Sequence, residues 1–151
     1  MEFNQDFRDM LVALNDASVD YLVVGAYAVA AHGFPRATGY LDIWVRADPE
    51  SAPKVVRALQ AFGAPMQEIN ETDFASPSVV FQIGVPPGRI DILTVVSGLD
   101  FDSAWTNQIW LTIDDVKFPV IGRADLITNK RATGRPKDLA DIAGLEASDD
   151  G

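Results

Sequence analysis

The sequence has 151 residues, of which 48% are hydrophobic and 23% charged, and its formal net charge is −10. This composition excludes a disordered or fibrous chain, and the negative charge argues against sequence-independent nucleic-acid binding, which needs many Lys and Arg contacts to phosphates. With no cysteine and one histidine, the chain has no disulfide, no thiolate metal site and no multi-histidine cluster, so any bound metal is expected to have oxygen ligands.

The whole chain, residues 1–151, is predicted to form one domain, because its length suits a single core and no linker-like segment divides it. No apolar run approaches the roughly 20 residues of a membrane-spanning helix, and the first residues lack the basic start of an export signal. A cytoplasmic location is therefore expected, with no membrane partner.

The first half of the chain is predicted to alternate helices and strands. Apolar residues at spacings of three and four predict an N-terminal helix within residues 1–17, and an apolar run at 21–24 predicts a strand that turns at Gly25 into an alanine-rich helix. Residues 40–46 alternate between two faces and predict a second strand, which a helix over 51–62 follows.

The second half is predicted to be rich in strands before it ends in helices. Residues 78–83 and 89–96 are β-rich and are joined by a Gly- and Pro-rich connection, which predicts an antiparallel hairpin. Residues 110–113 and 118–121 predict another small β unit, and helical signals return within residues 122–146.

Two aspartates stand between apolar neighbours in predicted strands, Asp42 in one and Asp91 in another. An ionised Asp in that setting is costly unless it faces a cleft, a cation or a hydrogen-bond donor. Two such residues on separate strands suggest a shared carboxylate site. An ordinary cleft pair satisfied by Arg36 or Arg89 explains each of them equally well when it is taken singly, and that alternative stays open.

The order of the motifs resembles the polymerase-beta-type nucleotidyltransferase superfamily, and most of all its small bacterial branch related to abortive-infection and toxin–antitoxin nucleotidyltransferases. The matching pieces cover roughly residues 20–145 and are residues 24–33, 36–38, Asp42, 90–92, 125–130 and 134–141. The resemblance implies an α+β nucleotidyltransferase fold, in which helices flank a central mixed β-sheet.

The resemblance also implies an activity, the transfer of a nucleoside monophosphate from a nucleoside triphosphate to a hydroxyl with Mg²⁺. Asp42 and Asp91 match two of the family's three metal-binding acids, and with Lys130 they form the expected catalytic set. The expected nucleotide-binding residues are Gly25, Ala26, Arg36, Thr38, Lys130 and Lys137.

Simpler explanations of the same nucleotide-binding residues stay open. Gly25 and Ala26 also suit a tight turn without a ligand, while Arg36 and Thr38 also suit a loop that is merely held in place. Six of the twelve basic residues fall within the 21 positions 117–137, where a solvated basic face is the default explanation.

The sequence departs from the family at position 40, where the first acid of the pair should stand and Tyr40 is found. A neutral phenol with a pKa of about 10 is a poor magnesium ligand at neutral pH. A second hypothesis is therefore a nucleotidyltransferase-fold protein that has lost catalysis and acts as a binding or regulatory partner in a toxin–antitoxin or defence system. The acceptor (RNA, protein or small molecule) and a homodimer or partner protein stay open.

Overall fold

Six strands form one sheet in the structure, a computed structural model that describes residues 4–33, 38–85 and 87–149. The strands are β1 (Tyr21–Val24), β2 (Tyr40–Val45), β3 (Val80–Ile83), β4 (Arg89–Leu93), β5 (Ile109–Ile113) and β6 (Val116–Val120). Their order across the sheet is β3-β4-β2-β1-β6-β5. The β1–β6 and β2–β4 pairs are parallel and the other pairs are antiparallel, so the sheet is mixed, as predicted.

Seven helices accompany the sheet in the described ranges and confirm the α+β class. They are α1 (Gln5–Asp16), α2 (Gly25–Ala31), α3 (Ala52–Phe62), α4 (Glu71–Phe74), α5 (Phe101–Trp105), α6 (Arg123–Thr133) and α7 (Pro136–Asp149). In these ranges no helix has both the length and the apolar character needed to cross a bilayer. The assignment of the chain to a single domain stays a prediction.

The predicted apolar face of the N-terminal helix is buried. The side chains of Phe7, Met10, Leu11 and Leu14 are at most 1% exposed, and α1 contacts both α3 and β6. Each such burial contributes about 1.5–3 kcal/mol to the hydrophobic stabilisation of the fold. Asn4 caps the start of the helix, since its side chain accepts a hydrogen bond from the backbone N–H of Asp6.

Two predicted strands are shorter than expected. Strand β3 starts at Val80 because Ser78 has a φ of +72°, which is incompatible with an extended strand. Strand β4 ends at Leu93, and the hydroxyl of the next residue, Thr94, accepts a hydrogen bond of 2.8 Å from the N–H of Val79. The predicted antiparallel pairing of these two strands is confirmed.

The sheet positions polar side chains through the parallel register of its two central strands. Tyr40 of β2 pairs with Arg89 of β4, and Asp42 pairs with Asp91. Because side chains alternate between the faces of a strand, residues two apart lie on one face, so these four side chains form a compact group. Strand β1 runs beside them and turns into α2 at Gly25.

Candidate functional site

Asp42 and Asp91, called here the carboxylate pair, lie side by side on adjacent strands. Both are largely shielded from solvent, and Asp91 is 8% exposed. Burial, the neighbouring negative charge of Asp91 and hydrogen bonding between the carboxyls raise the pKa of Asp42 to about 6, although Arg89 and Lys130 oppose the shift. The ionised form of Asp42 is therefore disfavoured, first by burial and then by the charge of Asp91, and Arg89 and Lys130 offset this only in part.

Gly25 brings the backbone of the β1–α2 turn against the carboxylate pair. Its φ is +69°, and a Cβ at this position would overlap the Oδ2 atom of Asp42. Only glycine combines that backbone conformation with so close an approach. The backbone at the start of α2 therefore lies directly against the carboxylate of Asp42.

Arg89 holds the other member of the pair. Its Nε donates to Oδ1 of Asp91 over 2.9 Å, and its Nη2 donates to Oδ2 over 3.0 Å, which is a two-pronged ion pair. The guanidinium carbon lies 5.0 Å from the centroid of the Tyr40 ring, within the range of a cation–π contact. The open alternative that an arginine satisfies one aspartate of the pair is thus observed for Asp91.

A second charged group, the lysine cluster, consists of Lys130, Asp138 and Asp141, all of them buried. The Lys130 ammonium lies 3.0 Å from Asp141 and 3.4 Å from Asp138. Asp138 also accepts hydrogen bonds from Arg135 and Thr133. The bond from Arg135 has the larger effect, and together the two bonds hold the pKa of Asp138 well below its usual value. Lys130 is therefore a buried ion-pair residue and not part of a solvated basic face.

A cavity of about 310 Å³ lies between the two groups. It is lined by Gly25, Ala26, Thr38, Gly39, Tyr40, Asp42, Asp91, Lys130, Arg135 and Lys137. All the predicted site residues in the described ranges thus meet at one cavity. Arg36 lies outside the described residues, and the catalytic and binding roles of the others stay predictions.

The structure qualifies two of the nucleotide-binding candidates. Thr38 uses its hydroxyl locally, since Oγ1 accepts from the N–H of Tyr40 over 3.1 Å and lies 3.2 Å from the carbonyl oxygen of Tyr40. Lys137 is exposed at the rim of the cavity.

The predicted site residues did not include two arginines that contact the site, Arg89 and Arg135. The spacing of Arg89 and Asp91, two apart in a strand, is the signal that could have identified the former.

The donor set fits one hard divalent cation and not two. The acidic residues that line the cavity are Asp42 and Asp91, and the described part of the chain contains no cluster of three or more acidic or histidine side chains suited to a metal. Burial and the neighbouring charge of Asp91 raise the pKa of Asp42, and a bound cation would favour its ionised form. Two ions bridged by three carboxylates would require an acid where Tyr40 stands.

No protein-family model matches the sequence, and no curated protein has a matching sequence. Solved structures do match. A Thermotoga maritima protein classed as a nucleotidyltransferase is 15% identical with a TM-score of 0.63, and the match covers 95% of this chain and 91% of that one.

Two further structures are similar to this chain. The lincosamide antibiotic adenylyltransferase LnuA, solved with lincomycin bound, is 14% identical with a TM-score of 0.61, over 97% of this chain and 98% of that one. An antigenic nucleotidyltransferase-like protein from Paracoccidioides brasiliensis is 16% identical with a TM-score of 0.54, over 93% and 74% of the two chains. These similarities establish the fold and confirm the one predicted from the sequence.

Proposed function

We propose that this chain, which has the nucleotidyltransferase fold, binds a nucleoside triphosphate with one Mg²⁺ and transfers its nucleoside monophosphate to a hydroxyl acceptor. The observation that supports the proposal is the register of β2 and β4, which sets Asp42 beside Asp91 against the turn at Gly25. Two adjacent carboxylates that are largely shielded from solvent, one of them with a raised pKa, are suited to a cation that a triphosphate brings with it.

Several residues around the cavity are proposed to contact the phosphates of the nucleotide. The backbone N–H groups at Gly25 and Ala26, where α2 begins without a side-chain cap, are proposed to meet phosphate oxygens. Lys137 adds positive charge at the rim, and Arg36 and Thr38 are proposed as further contacts to the phosphates.

The carboxylate pair and Lys130 are proposed to act on the charge of the reacting phosphate group. Asp42 and Asp91 would hold Mg²⁺, which when bound neutralises charge on the reacting phosphate oxygens. Lys130 is proposed to stabilise developing charge from the cavity wall.

The proposed transfer is a displacement at the α-phosphorus. The oxygen of the acceptor hydroxyl forms a bond to that phosphorus, the bond to the oxygen bridging the β-phosphate breaks, and pyrophosphate leaves with the electron pair. The proton of the hydroxyl passes to the carboxylate pair. Such a reaction depends mainly on positioning and on stabilisation of negative charge.

A neighbouring cavity of about 220 Å³ offers room for the acceptor. It shares Gly25, Asp42 and Lys130 with the first cavity, and apolar residues Val95 and Val96 line its other side. Two cavities that meet at one carboxylate suit a reaction between two bound molecules. Because LnuA is a lincosamide adenylyltransferase, small hydroxyl compounds are the first acceptors to test, followed by RNA and protein.

The proposal is tested by binding and by transfer. Purified protein is titrated with each of the four nucleoside triphosphates with and without Mg²⁺, and label transfer from the α-phosphate is followed with the acceptor panel. Asp42→Asn should weaken Mg²⁺-dependent binding roughly tenfold or more, whereas Asp16→Asn, an exposed aspartate outside the cavity, should leave it unchanged. Absence of Mg²⁺-dependent binding for all four triphosphates would refute the proposal.

A second candidate function is favoured by Tyr40 and its contact with Arg89. A site with a phenol in place of an acid and an arginine on Asp91 suits a protein that binds nucleotide without transferring it and acts as a cytoplasmic regulatory partner, for example in a toxin–antitoxin or defence pair. This function predicts triphosphate binding by the wild type without label transfer. Transfer by the wild type would exclude it.

A further inference from the structure

Arg89 already provides a cation to the carboxylate pair. Its two N–H groups occupy one lone pair on each oxygen of Asp91, at 2.9 and 3.0 Å. The pair is partly screened from solvent, since the side chain of Asp91 is 11% exposed and that of Arg89 28%. A divalent ion bound to the same oxygens would therefore face the guanidinium charge at short range.

The Tyr40 ring lies against the Arg89 guanidinium from the neighbouring strand. The two residues are cross-strand partners, and the ring lies 5.0 Å from the guanidinium carbon. An aromatic face attracts a cation without neutralising it. An acid at position 40 would pull the guanidinium away from Asp91 or share it, so the aromatic residue leaves Arg89 committed to Asp91.

Asp42 differs from Asp91 in its ion-pair partners. Within residues 4–33, 38–85 and 87–149, no Lys or Arg side chain forms an ion pair with Asp42, and its Oδ2 faces the turn at Gly25. Among the described residues, Asp91 thus has a cation as its ion-pair partner, whereas Asp42 does not.

We propose that Arg89, held by Tyr40, takes the place of one metal ion at this site, so that the protein binds a single divalent cation with Asp42 as its principal ligand. The inference deepens the proposed function and rests on it for the identity of the site. It makes Arg89 a positioning residue that sets metal stoichiometry, and it assigns to Tyr40 a role beyond the loss of a ligand.

The test uses Mn²⁺ alone, so that its outcome is independent of nucleotide binding. Free Mn²⁺ is measured by electron paramagnetic resonance during titration of the wild type and of Arg89→Met. The wild type should bind one Mn²⁺, and Arg89→Met should bind Mn²⁺ about tenfold more tightly, because Asp91 is released to the ion and a positive charge is removed. Arg131→Met, an exposed arginine paired with Glu146, should match the wild type.

Tyr40 supplies a second test that leaves the ion pair residues in place. Tyr40→Phe keeps an aromatic face and should leave Mn²⁺ affinity unchanged, whereas Tyr40→Leu removes it and should raise the affinity two- to threefold. Tyr40→Asp combined with Arg89→Met should bind two Mn²⁺. If Arg89→Met does not fold, the Tyr40 variants decide the matter. Two ions on the wild type, or equal affinities across the Arg89 and Tyr40 series, would overturn the inference while leaving triphosphate binding untouched.

Discussion

The lysine cluster reaches the cavity through Lys130, and the carboxylate pair lines the same cavity, but the two groups differ in how their charges are paired. In the lysine cluster, each carboxylate contacts the Lys130 ammonium, and Asp138 gains further bonds from Arg135 and Thr133. In the carboxylate pair, Arg89 bonds to both oxygens of Asp91, whereas burial and the negative charge of Asp91 raise the pKa of Asp42 to about 6. A balanced cluster stabilises structure, whereas an unbalanced one is available to a ligand.

The largest expected effect is a loss of stability when the lysine cluster loses its ammonium group. Lys130→Met leaves Asp138 and Asp141 buried without their ammonium, and we expect it to lower the free energy of unfolding by about 3–5 kcal/mol. For a chain of this length the melting temperature should fall by on the order of 10 °C. Lys137→Met, at the exposed rim, is the matched control and should change the stability by less than about 0.5 kcal/mol. Equal small effects of both changes would show that Lys130 is not a buried ion-pair residue.

A smaller effect is expected where the turn meets the carboxylate pair. Gly25→Ala imposes a Cβ on Asp42 Oδ2 and a side chain on a φ of +69°, and should cost about 2–3 kcal/mol in unfolding free energy. Gly63→Ala is the control, because its φ is +93° but no atom lies within 4 Å of the added Cβ. That variant should cost only the backbone strain, about 1 kcal/mol, measured for both by chemical denaturation. Identical costs would mean that the turn does not press on Asp42.

The smallest of the three effects concerns the pH dependence of stability. The pKa of Asp42 is about 6 in the folded state and 3.8 as its ordinary value, so the folded state holds a proton more tightly. Stability should therefore decline as pH rises from 4 to 6 and then level off, by about 1–2 kcal/mol. Asp42→Asn, measured with a chelator present, should lose this decline. Parallel stability curves for the two proteins would contradict the raised pKa.

The sequence predicted the fold well where local patterns decide structure. The apolar spacing of α1, the run of β1 and the turn at Gly25 all correspond to observed elements. Helices α4 and α5 were missed because they have four and five residues, too few for a periodic pattern. Their only sequence signals are the caps at Asn70 and Asp100.

The proximity of the candidate residues could be expected from the sequence, and Arg89 was already a possible partner of an aspartate, whereas the ion pairs of Lys130 were not predicted. The order of motifs brought Asp42, Asp91 and Lys130 into one prediction, and the structure places all three around one cavity. That Lys130 is buried depends on α6 packing against α7, and that Arg89 contacts Tyr40 depends on the register of β2 with β4. Both are long-range features, which local sequence patterns do not encode.

The central claim is that the carboxylate pair, with Asp42 as principal ligand, holds one cation beside a triphosphate at the Gly25 turn. Anomalous diffraction from crystals soaked with Mn²⁺ and a non-hydrolysable nucleoside triphosphate tests it most directly. We expect one Mn²⁺ peak in contact with Asp42, with phosphate density over Gly25 and Ala26 and with Arg89 still on Asp91. Phosphates bound away from this turn, or two Mn²⁺ peaks between the carboxylates, would contradict it.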